Sequence, residues 1–244
     1  MAIRLEGKIC LVTGANKGVG RGIVQGFIER GASVVAGVRN PADSKDSPIT
    51  HVVRLDVTKE EEIEAAIAEI VAQYGRIDVL INNAGVYPRT PAEQLTQEDW
   101  KSVLDVNLDG SWKCARAVIP FMKNQQHGVI INVGSVTLRL GGENLAHYNA
   151  SKGGIVGLTR GLARDLGRYG IRVNCLHLGA VLVEREKELF LSQEAILATL
   201  NKNQSIPGRL TPASVEPVFA FFASDESSDI TGQCLTVDRG WVHD

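Results

Sequence analysis

The sequence is short of the features that define several large classes of protein. Its 244 residues include only four cysteines, which lie far apart, without a CxxC pair or a pair of neighbouring histidines, so the spacing indicates neither a disulfide framework nor a metal site. The net charge is −2 and there is no block of basic residues, which argues against a nucleic-acid partner. We expect buried free thiols at Cys10, Cys114, Cys175 and Cys234.

Long apolar runs are also missing. No run reaches the roughly 20 residues that cross a bilayer, and the charged segment 1–8 is too short before the first apolar run to be a signal peptide. We therefore expect a cytoplasmic protein without a membrane partner. Apolar residues make up 44% of the chain, and a chain of this length can bury a core without a disulfide or a metal ion.

Short apolar runs rich in β-branched residues alternate with segments of helical length. The runs lie at 9–12, 33–36, 52–55, 79–81, 129–133, 171–176 and 234–237, and the helical segments at 20–30, 60–74, 100–123, 151–169 and 214–223. Runs that are apolar on both faces are typical of parallel strands covered by helices. We predict an α/β fold, in which residues 1–244 form a single Rossmann-type domain with a doubly wound parallel sheet. Pro41 and Pro48 predict a loop or a single turn over residues 39–51.

A glycine-rich turn follows the first predicted strand. Gly14, Gly18 and Gly20 lie between that strand and a predicted helix, and their small size lets the backbone turn tightly and approach a pyrophosphate. The helix N-terminus offers free N–H groups and the positive end of a dipole to the same anion. This position at the start of a series of strands and helices favours a dinucleotide site over an ordinary strand–helix turn.

Further motifs follow the glycine turn in a fixed order along the chain. They are Asp56, the segment 82–85 (Asn-Asn-Ala-Gly), Asn107, Ser135, Tyr148 with Lys152, and the segment 230–233 (Ile-Thr-Gly-Gln). With the Gly-x-x-x-Gly-x-Gly spacing, this set resembles the short-chain dehydrogenase/reductase family over nearly the whole chain, and in particular its 3-oxoacyl-ACP-reductase-like members. The resemblance implies hydride transfer between a nicotinamide cofactor and a ketone, aldehyde or secondary alcohol.

The resemblance also implies which residues bind the cofactor. They are Gly14, Asn16, Lys17, Gly18, Val19, Gly20, Arg39, Asp56, Val57, Asn83, Ala84, Gly85, Tyr148, Lys152, Gly179 and Val181. An acidic residue at the end of the second strand would bind the ribose 2′-hydroxyl of NAD, whereas a basic one accommodates the 2′-phosphate of NADP. Arg39 stands there without a carboxylate, and Lys17 adds a cation in the glycine turn. We therefore favour NADP(H), with NAD(H) as the alternative.

The catalytic residues are predicted from both chemistry and resemblance. Reduction of a ketone requires a proton donor, and a tyrosine serves if an ammonium and the charged nicotinamide lower its pKa of about 10. Tyr148 and Lys152 are four residues apart, which places them on one face of a helix. By resemblance Tyr148 is the acid/base, Lys152 tunes its pKa and binds ribose, Ser135 orients the substrate and Asn107 supports a proton relay.

Two segments depart from the family pattern. Leu178 and Val183 stand where the family commonly has a proline and a threonine around Gly179, and Arg239 stands where a second glycine before Gly240 is usual. The missing threonine hydroxyl would weaken the grip on the nicotinamide amide. These departures keep a second hypothesis open, in which the chain is a non-catalytic cofactor-binding protein.

Substrate specificity is predicted to lie in three loops, 86–93, 137–146 and 183–207. The last has a helical pattern of apolar residues, typical of a mobile lid that excludes water. Arg89, Arg139 and Arg185 fall in these loops and are candidates to meet an anionic substrate.

The chain is also predicted to assemble with copies of itself. The helical segments 100–123 and 151–169 carry more apolar residues than a single packed face requires. By resemblance the free face would form a four-helix interface between subunits, and the edge of the last strand would form a second interface. We expect a homotetramer, with a dimer as the alternative.

Overall fold

The computed structural model describes residues 3–44, 51–184 and 192–243, and these residues contain one seven-stranded sheet. All strand pairs are parallel, and the strand order is β3-β2-β1-β4-β5-β6-β7. The strands are β1 (Ile9–Thr13), β2 (Ser33–Val38), β3 (His51–Arg54), β4 (Val79–Asn82), β5 (Gly128–Ser135), β6 (Ile171–Leu178) and β7 (Cys234–Val237). Each contains one of the predicted runs or overlaps it closely, which confirms the α/β prediction.

Helices cover both faces of this sheet. They are α1 (Gly18–Glu29), α2 (Glu60–Tyr74), α3 (Gln97–Leu104), α4 (Gly110–Gln125), α5 (Thr137–Leu140), α6 (Ala146–Leu166), α7 (Gln193–Asn203) and α8 (Pro212–Ala223). Parallel strands need such crossovers, because after each strand the chain must return to the end of the sheet where that strand began. The predicted helices at 20–30, 60–74, 151–169 and 214–223 are confirmed within a few residues. None of the helices in the described ranges could cross a bilayer.

Two apolar clusters fix the layers of the fold. On one face, residues of α1 and α8 such as Phe27 and Phe219 are fully buried against alternate residues of the strands. On the other face, residues of α2 and α4 such as Ile70 and Val118 are buried in the same way. Burial on both faces explains why the strands read as unbroken apolar runs, since neither set of alternating side chains meets water.

The predicted helix over 100–123 differs most from the structure. The chain enters a helix three residues earlier, at Gln97, where Thr96 and Asp99 exchange hydrogen bonds in a capping box. Residues 105–109 then form a π-helix that separates α3 from α4. The apolar pattern does not show this wider turn, because apolar residues continue at helical spacing both before and after the turn.

The connection from β2 to β3 and the lid are described only in part. After β2 a single 3-10 turn spans Pro41–Ser44, as predicted for this connection, and residues 45–50 lie outside the described residues. In the predicted lid, α7 accounts for the helical pattern, and residues 185–191, which include Arg185, lie outside the described residues.

Candidate active site

A cleft of about 320 Å³ opens at the carboxyl ends of the central strands. The strand order reverses beside β1, between β1 and β4, and in open α/β sheets ligands bind at such a switch point. Eight of the predicted site residues line the cleft: Val19, Asn83, Gly85, Ser135, Tyr148, Lys152, Gly179 and Val181. The structure therefore brings the predicted catalytic side chains and the predicted nicotinamide segment to one place.

The glycine turn is shaped by close backbone approach. Gly14 has φ +65°, and a Cβ there would lie 2.8 Å from the Cα of Ala84. A Cβ on Gly20 would lie 2.5 Å from both the Gly14 carbonyl oxygen and the Asn83 amide nitrogen. Each of these contacts is shorter than any real side chain tolerates, so the two positions require glycine. The turn thus exposes its backbone to the cleft, as the sequence predicts.

Asn83 holds the turn to the end of β4. Its side-chain amide donates hydrogen bonds to the carbonyl oxygens of Thr13 (2.9 Å) and Gly14 (3.1 Å). The Thr13 hydroxyl in turn accepts from the backbone N–H groups of Asn83 and Ala84, each at 3.1 Å. These reciprocal bonds fix the relative position of the first and fourth strand ends without a bound ligand. Asn83 therefore shapes the cofactor cradle as well as lining it.

The N-terminus of α1 already holds an anion in this structure. The backbone N–H of Gly18 donates to Oε2 of Glu184 at 3.1 Å, and Lys17 and Asn16 precede it in the turn. A carboxylate and a phosphate place the same kind of charged oxygen at a helix N-terminus. The residues present therefore fit the pyrophosphate of a dinucleotide, and Glu184 occupies a position where such a phosphate oxygen would be held.

The predicted adenine end of the site lies beside β2 and β3. Arg39 is exposed just after β2, and Lys17 is exposed in the turn. Oδ1 of Asp56 accepts hydrogen bonds from the backbone (3.0 Å) and the hydroxyl (2.8 Å) of Thr58. Burial alone would raise the pKa of Asp56, but the bonds from Thr58 and the charge of Arg39 hold it below its ordinary value. Val57 is buried, and its side chain packs against Gly110.

Ser135 and Tyr148 meet in the centre of the cleft. Both residues line the cleft, the Ser135 side chain acts to lower the pKa of Tyr148, and the Ser135 hydroxyl lies 2.9 Å from that of Thr137. The backbone N–H of Thr137 donates to Oγ of Ser135 at 3.2 Å, and the backbone N–H of Ser135 donates to Nδ1 of His177 at 3.1 Å. Ser135 is thus held from both its side chain and its backbone in the cleft that Tyr148 also lines.

The pKa of Tyr148 differs from the expectation. Burial raises the pKa of Tyr148 above its ordinary value, and the hydrogen bond with Ser135 offsets only part of this effect. Lys152 lies with Nζ 5.6 Å from the centre of the Tyr148 ring and donates to the Val133 carbonyl oxygen at 2.7 Å. Burial lowers the pKa of Lys152 to about 8. The expected lowering of the tyrosine pKa depends on the nicotinamide charge as well as on the lysine, and the protein alone does not produce it.

Asn107 lies at the centre of the π-helix and is fully buried. Its Oδ1 accepts from the Val86 N–H at 2.8 Å, and its Nδ2 donates to the Val86 carbonyl oxygen at 2.9 Å and to Oγ of Ser151 at 3.1 Å. The helix is therefore locally opened at Asn107. The Asn107 side chain ties the loop after β4 to α6, which carries Tyr148 and Lys152.

The positions that depart from the family pattern have structural roles. Val183 packs against Gly18. Arg239 has φ +63°, the left-handed conformation in which glycine is ordinarily preferred. Its guanidinium compensates by donating to the carbonyl oxygens of Ile206 (3.0 Å) and Pro207. The end of β7 is thus joined to the segment that follows α7.

Several cleft residues were missed by reasoning from the sequence. Tyr87 packs edge-on against Tyr148, with ring centres 6.0 Å apart, and Trp241 reaches the cleft from beyond β7. Because the carboxyl ends of all parallel strands share one edge, the position of Trp241 just after the last predicted strand was a usable signal. His147, which precedes Tyr148 in α6, is fully buried.

Comparisons with known proteins agree with this geometry. The family model described as enoyl-(acyl carrier protein) reductase matches residues 14–242. The 3-oxoacyl-[acyl-carrier-protein] reductase FabG of Thermotoga maritima is 37% identical, covering 98% of this chain and 100% of that protein. The D-xylose 1-dehydrogenase of Caulobacter vibrioides is 37% identical, covering 97% of this chain and 96% of its own length.

Solved structures agree as well. A putative gluconate dehydrogenase from Agrobacterium tumefaciens superposes with a TM-score of 0.92 at 30% identity, covering 99% of this chain and 98% of that one. A putative short-chain alcohol dehydrogenase from Sinorhizobium meliloti has a TM-score of 0.93 at 27% identity, with 99% and 98% covered. Sequence, fold and cleft together place this chain in the short-chain dehydrogenase/reductase family, whose oxidoreductases act on CH–OH and C=O groups.

Proposed function

We propose that the chain is an NADP(H)-dependent oxidoreductase that transfers a hydride between the nicotinamide and a ketone, an aldehyde or a secondary alcohol. The observation that carries this proposal is the convergence of Ser135, Tyr148 and Lys152 on one cleft, with the buried Nζ of Lys152 5.6 Å from the centre of the Tyr148 ring. A non-catalytic cofactor-binding protein would not require a donor hydroxyl, an orienting hydroxyl and a buried cation in one cleft. The names of the relatives, a 3-oxoacyl reductase and a sugar dehydrogenase, fit the same class of chemistry.

The proposed roles follow from the donor groups. When the nicotinamide is bound it supplies or accepts the hydride. In the reducing direction Tyr148 gives its proton to the carbonyl oxygen, while Ser135 donates a hydrogen bond that holds that oxygen in place. Lys152 keeps a positive charge next to the tyrosinate that is left, which makes the proton easier to release. Asn107 acts through the loop and helix that it joins and is a positioning residue.

The predicted cofactor residues are proposed to act in three groups. Gly14, Gly18 and Gly20 let the backbone reach the pyrophosphate, and Asn83 holds the turn. The adenine end is assigned to the neighbourhood of Asp56. At the other end Gly179 and Val181 line the cleft beside Lys152, which supports their assignment to the nicotinamide.

We favour NADP(H) over NAD(H) because of the charge at the end of β2. Arg39 is exposed just after β2, and Lys17 is exposed in the glycine turn. Arg39 also acts electrostatically on Asp56. A 2′-phosphate would add an anion that both cations attract. NAD(H)-dependent alcohol dehydrogenation in the same site is the alternative.

A homotetramer remains our proposal for assembly, with a dimer as the alternative. Most apolar residues of α4 and α6 pack within the chain, but Trp112 on α4 is 42% exposed and Leu235 on β7 is 42% exposed. They lie on the two elements proposed to form interfaces. We also propose a cytoplasmic location, since Cys10, Cys114 and Cys175 are buried free thiols, which suits a reducing compartment.

A panel assay tests the proposed activity. Purified protein is mixed with ketones, aldehydes, sugars and 3-oxoacyl thioesters in the presence of NADPH or NADH, and with the corresponding alcohols in the presence of the oxidised cofactors. We expect turnover with at least one carbonyl class and a higher kcat/KM with NADPH. Tight cofactor binding without turnover on any member of the panel would favour the non-catalytic alternative, and a higher kcat/KM with NADH would overturn the assignment of Lys17 and Arg39.

A further inference from the structure

The fold brings together three soft ligand groups that are far apart in the sequence. The thiol sulfurs of Cys175 and Cys234 and a ring nitrogen of His177 all lie within 4.8 Å of one another. Cys175 and His177 are buried, and Cys234 is half-buried. The three side chains therefore converge on a common point.

The register of the last two strands produces this cluster. Cys175 of β6 is paired with Cys234 of β7, and His177 is paired with Thr236. Residues two apart in a strand share a face, so Cys175 and His177 lie on the same side of β6. The spacing of the cysteines along the chain could not show this, because 58 residues separate Cys175 from Cys234 and the strand pairing alone joins them.

Gly134 of β5 makes the space that the cluster occupies. A Cβ at this position would lie 2.3 Å from Nδ1 of His177 and 2.9 Å from the Cys175 sulfur. Any side chain on Gly134 would therefore displace two of the three ligand groups. The recess is a built feature of three adjacent strands and does not depend on a surface loop.

A fourth polar group faces the cluster without a partner. Oγ1 of Thr236 is buried and has no hydrogen-bond partner among the described residues. Thr236 lies two residues beyond Cys234 in β7 and opposite His177. A buried hydroxyl without a partner costs free energy, and a bound ion or its water ligand would supply that partner.

We propose that Cys175, His177 and Cys234 bind a thiophilic metal ion, and that this ion is Zn²⁺. Two thiolates and one imidazole are a ligand set that zinc takes in proteins, with the fourth tetrahedral position left to water or another oxygen. Two thiolates also cancel the charge of a divalent ion. This neutrality matters because Lys152 lies close to Cys175, and Arg160 lies close to Cys234.

Metal binding would act on the catalytic serine through the histidine ring, a consequence that rests on the proposed function. Nδ1 of His177 accepts the backbone N–H of Ser135 at 3.1 Å, so the ring proton lies on Nε2 in the metal-free protein. A metal on Nε2 moves the ring proton to Nδ1, which can then no longer accept a hydrogen bond. A metal on Nδ1 takes up the lone pair that accepts the Ser135 N–H. In either case the hydrogen bond to Ser135 is lost, and the serine hydroxyl moves relative to Tyr148.

The first experiment measures metal binding independently of catalysis. Zn²⁺ is titrated into the reduced full-length chain against a chromophoric chelator, and Co²⁺ is added in parallel to look for thiolate-to-metal charge-transfer absorption. We expect about one ion per chain with thiolate absorption. Cys234→Ser, at the edge of the sheet, should weaken binding at least ~100-fold, since loss of an outer partner alone costs about 10- to 100-fold. Cys114→Ser, buried in α4, is the matched control and should bind as the unaltered chain does.

The second experiment separates the site from its effect on catalysis. Long-range ¹⁵N spectra of the histidine rings should show the His177 proton move from Nε2 when Zn²⁺ binds, and reductase turnover should fall at least ~10-fold, as for loss of an oriented donor. Absence of thiolate absorption, or equal binding by Cys234→Ser, would overturn the metal site. Binding with an unchanged His177 ring, or equal inhibition of Cys234→Ser, would overturn the coupling to Ser135 alone. Failure of the proposed function would instead appear as no turnover before any metal is added.

Discussion

The two halves of the cleft are held in different ways. On the cofactor half, Gly14, Gly20 and Asn83 are in direct backbone or amide contact, and no side chain would fit between them. On the substrate half, Val183 and Trp241 reach the cleft from segments outside the sheet. The first half is an extension of the strand ends, whereas the second is attached to the strands by a small number of side-chain contacts.

This difference assigns the two halves different tasks. Groups that must keep their position to within a fraction of an ångström belong on strands and on the helices packed against them. Ser135 satisfies this condition, since it is the last residue of β5 and is bonded to both Thr137 and His177. Under the proposed function, the groups that select a substrate lie on the loosely attached half, so specificity can change there without disturbing the chemistry.

Removal of the proton donor should have the largest effect and should leave the cofactor half intact. Tyr148→Phe keeps the ring packed against Tyr87 but removes the hydroxyl that Ser135 orients. We expect turnover to fall by ~10²-fold or more, the scale of general acid catalysis, while NADPH binding, measured by its fluorescence, is unchanged. Tyr169→Phe, which removes a hydroxyl after α6, is the matched control. A Tyr148→Phe variant with half of the original activity would refute the role of Tyr148.

Reversal of one charge should change the cofactor half alone. Arg39→Asp removes the cation proposed to face the 2′-phosphate and adds a repelling carboxylate. We expect kcat/KM with NADPH to fall by about 10- to 100-fold, as for loss of one charged hydrogen bond of roughly 1.5–3 kcal/mol, while kcat/KM with NADH changes little. Arg4→Asp makes the same charge change ahead of β1 and should alter neither value. Equal losses with both cofactors would show that Arg39 has a structural role only.

Glu184 lies between the two halves, and its removal should improve cofactor binding. Its carboxylate accepts the Gly18 N–H, so it competes with the cofactor phosphate for the N-terminus of α1. Glu184→Gln keeps an acceptor but removes the charge. We expect NADPH to bind about 2- to 5-fold more tightly by calorimetry, the scale of roughly 0.3–1 kcal/mol for a charge at a helix end. Glu194→Gln on α7 is the control, and weaker binding by Glu184→Gln would contradict the competition.

The smallest effect on activity should come from the residue that anchors the substrate half, whose loss is expected to change local motion and stability. Arg239→Gly relieves the left-handed backbone but loses the bonds to Ile206 and Pro207. Arg239→Ala loses the same bonds and keeps the strain, worth roughly 1–2 kcal/mol. We expect faster amide exchange over residues 200–207 in both variants, and unfolding about 1–2 kcal/mol easier in the alanine variant than in the glycine variant. Unchanged exchange in both would show that Arg239 does not hold this segment.

The strands were predictable because each is buried on both faces and therefore consists of an unbroken apolar run. The position of the cleft could be predicted from the strands, since glycines and polar residues directly after parallel strands meet at the carboxyl ends of the sheet. The positions of the turn from Thr13 to Gly20 and of Ser135 could thus be predicted from the sequence. The four-residue spacing of Tyr148 and Lys152 predicted that these two share one face of a helix. The resemblance to a family then supplied roles that spacing alone does not give.

Three features could not be predicted, each for a physical reason. The π-helix at 105–109 leaves the apolar pattern intact, because the side chains on both sides still face the sheet. The raised pKa of Tyr148 depends on its burial in the folded chain, which spacing along the sequence does not show. The meeting of Cys175 with Cys234 depends on the register of β6 against β7, which is set by the packing of the whole sheet.

The π-helix around Asn107 has a consequence for changes in chain length. A π turn contains about one residue more than an α turn, so deletion of Leu108 would allow α3 and α4 to join as one regular helix. Because each residue turns an α-helix by about 100°, the π turn absorbs the extra residue, and its deletion would leave α3 and α4 facing the sheet as before while removing the widened turn that carries Asn107. The bonds of Asn107 to Val86 and Ser151 would then be lost, so the more regular helix would belong to a poorer enzyme.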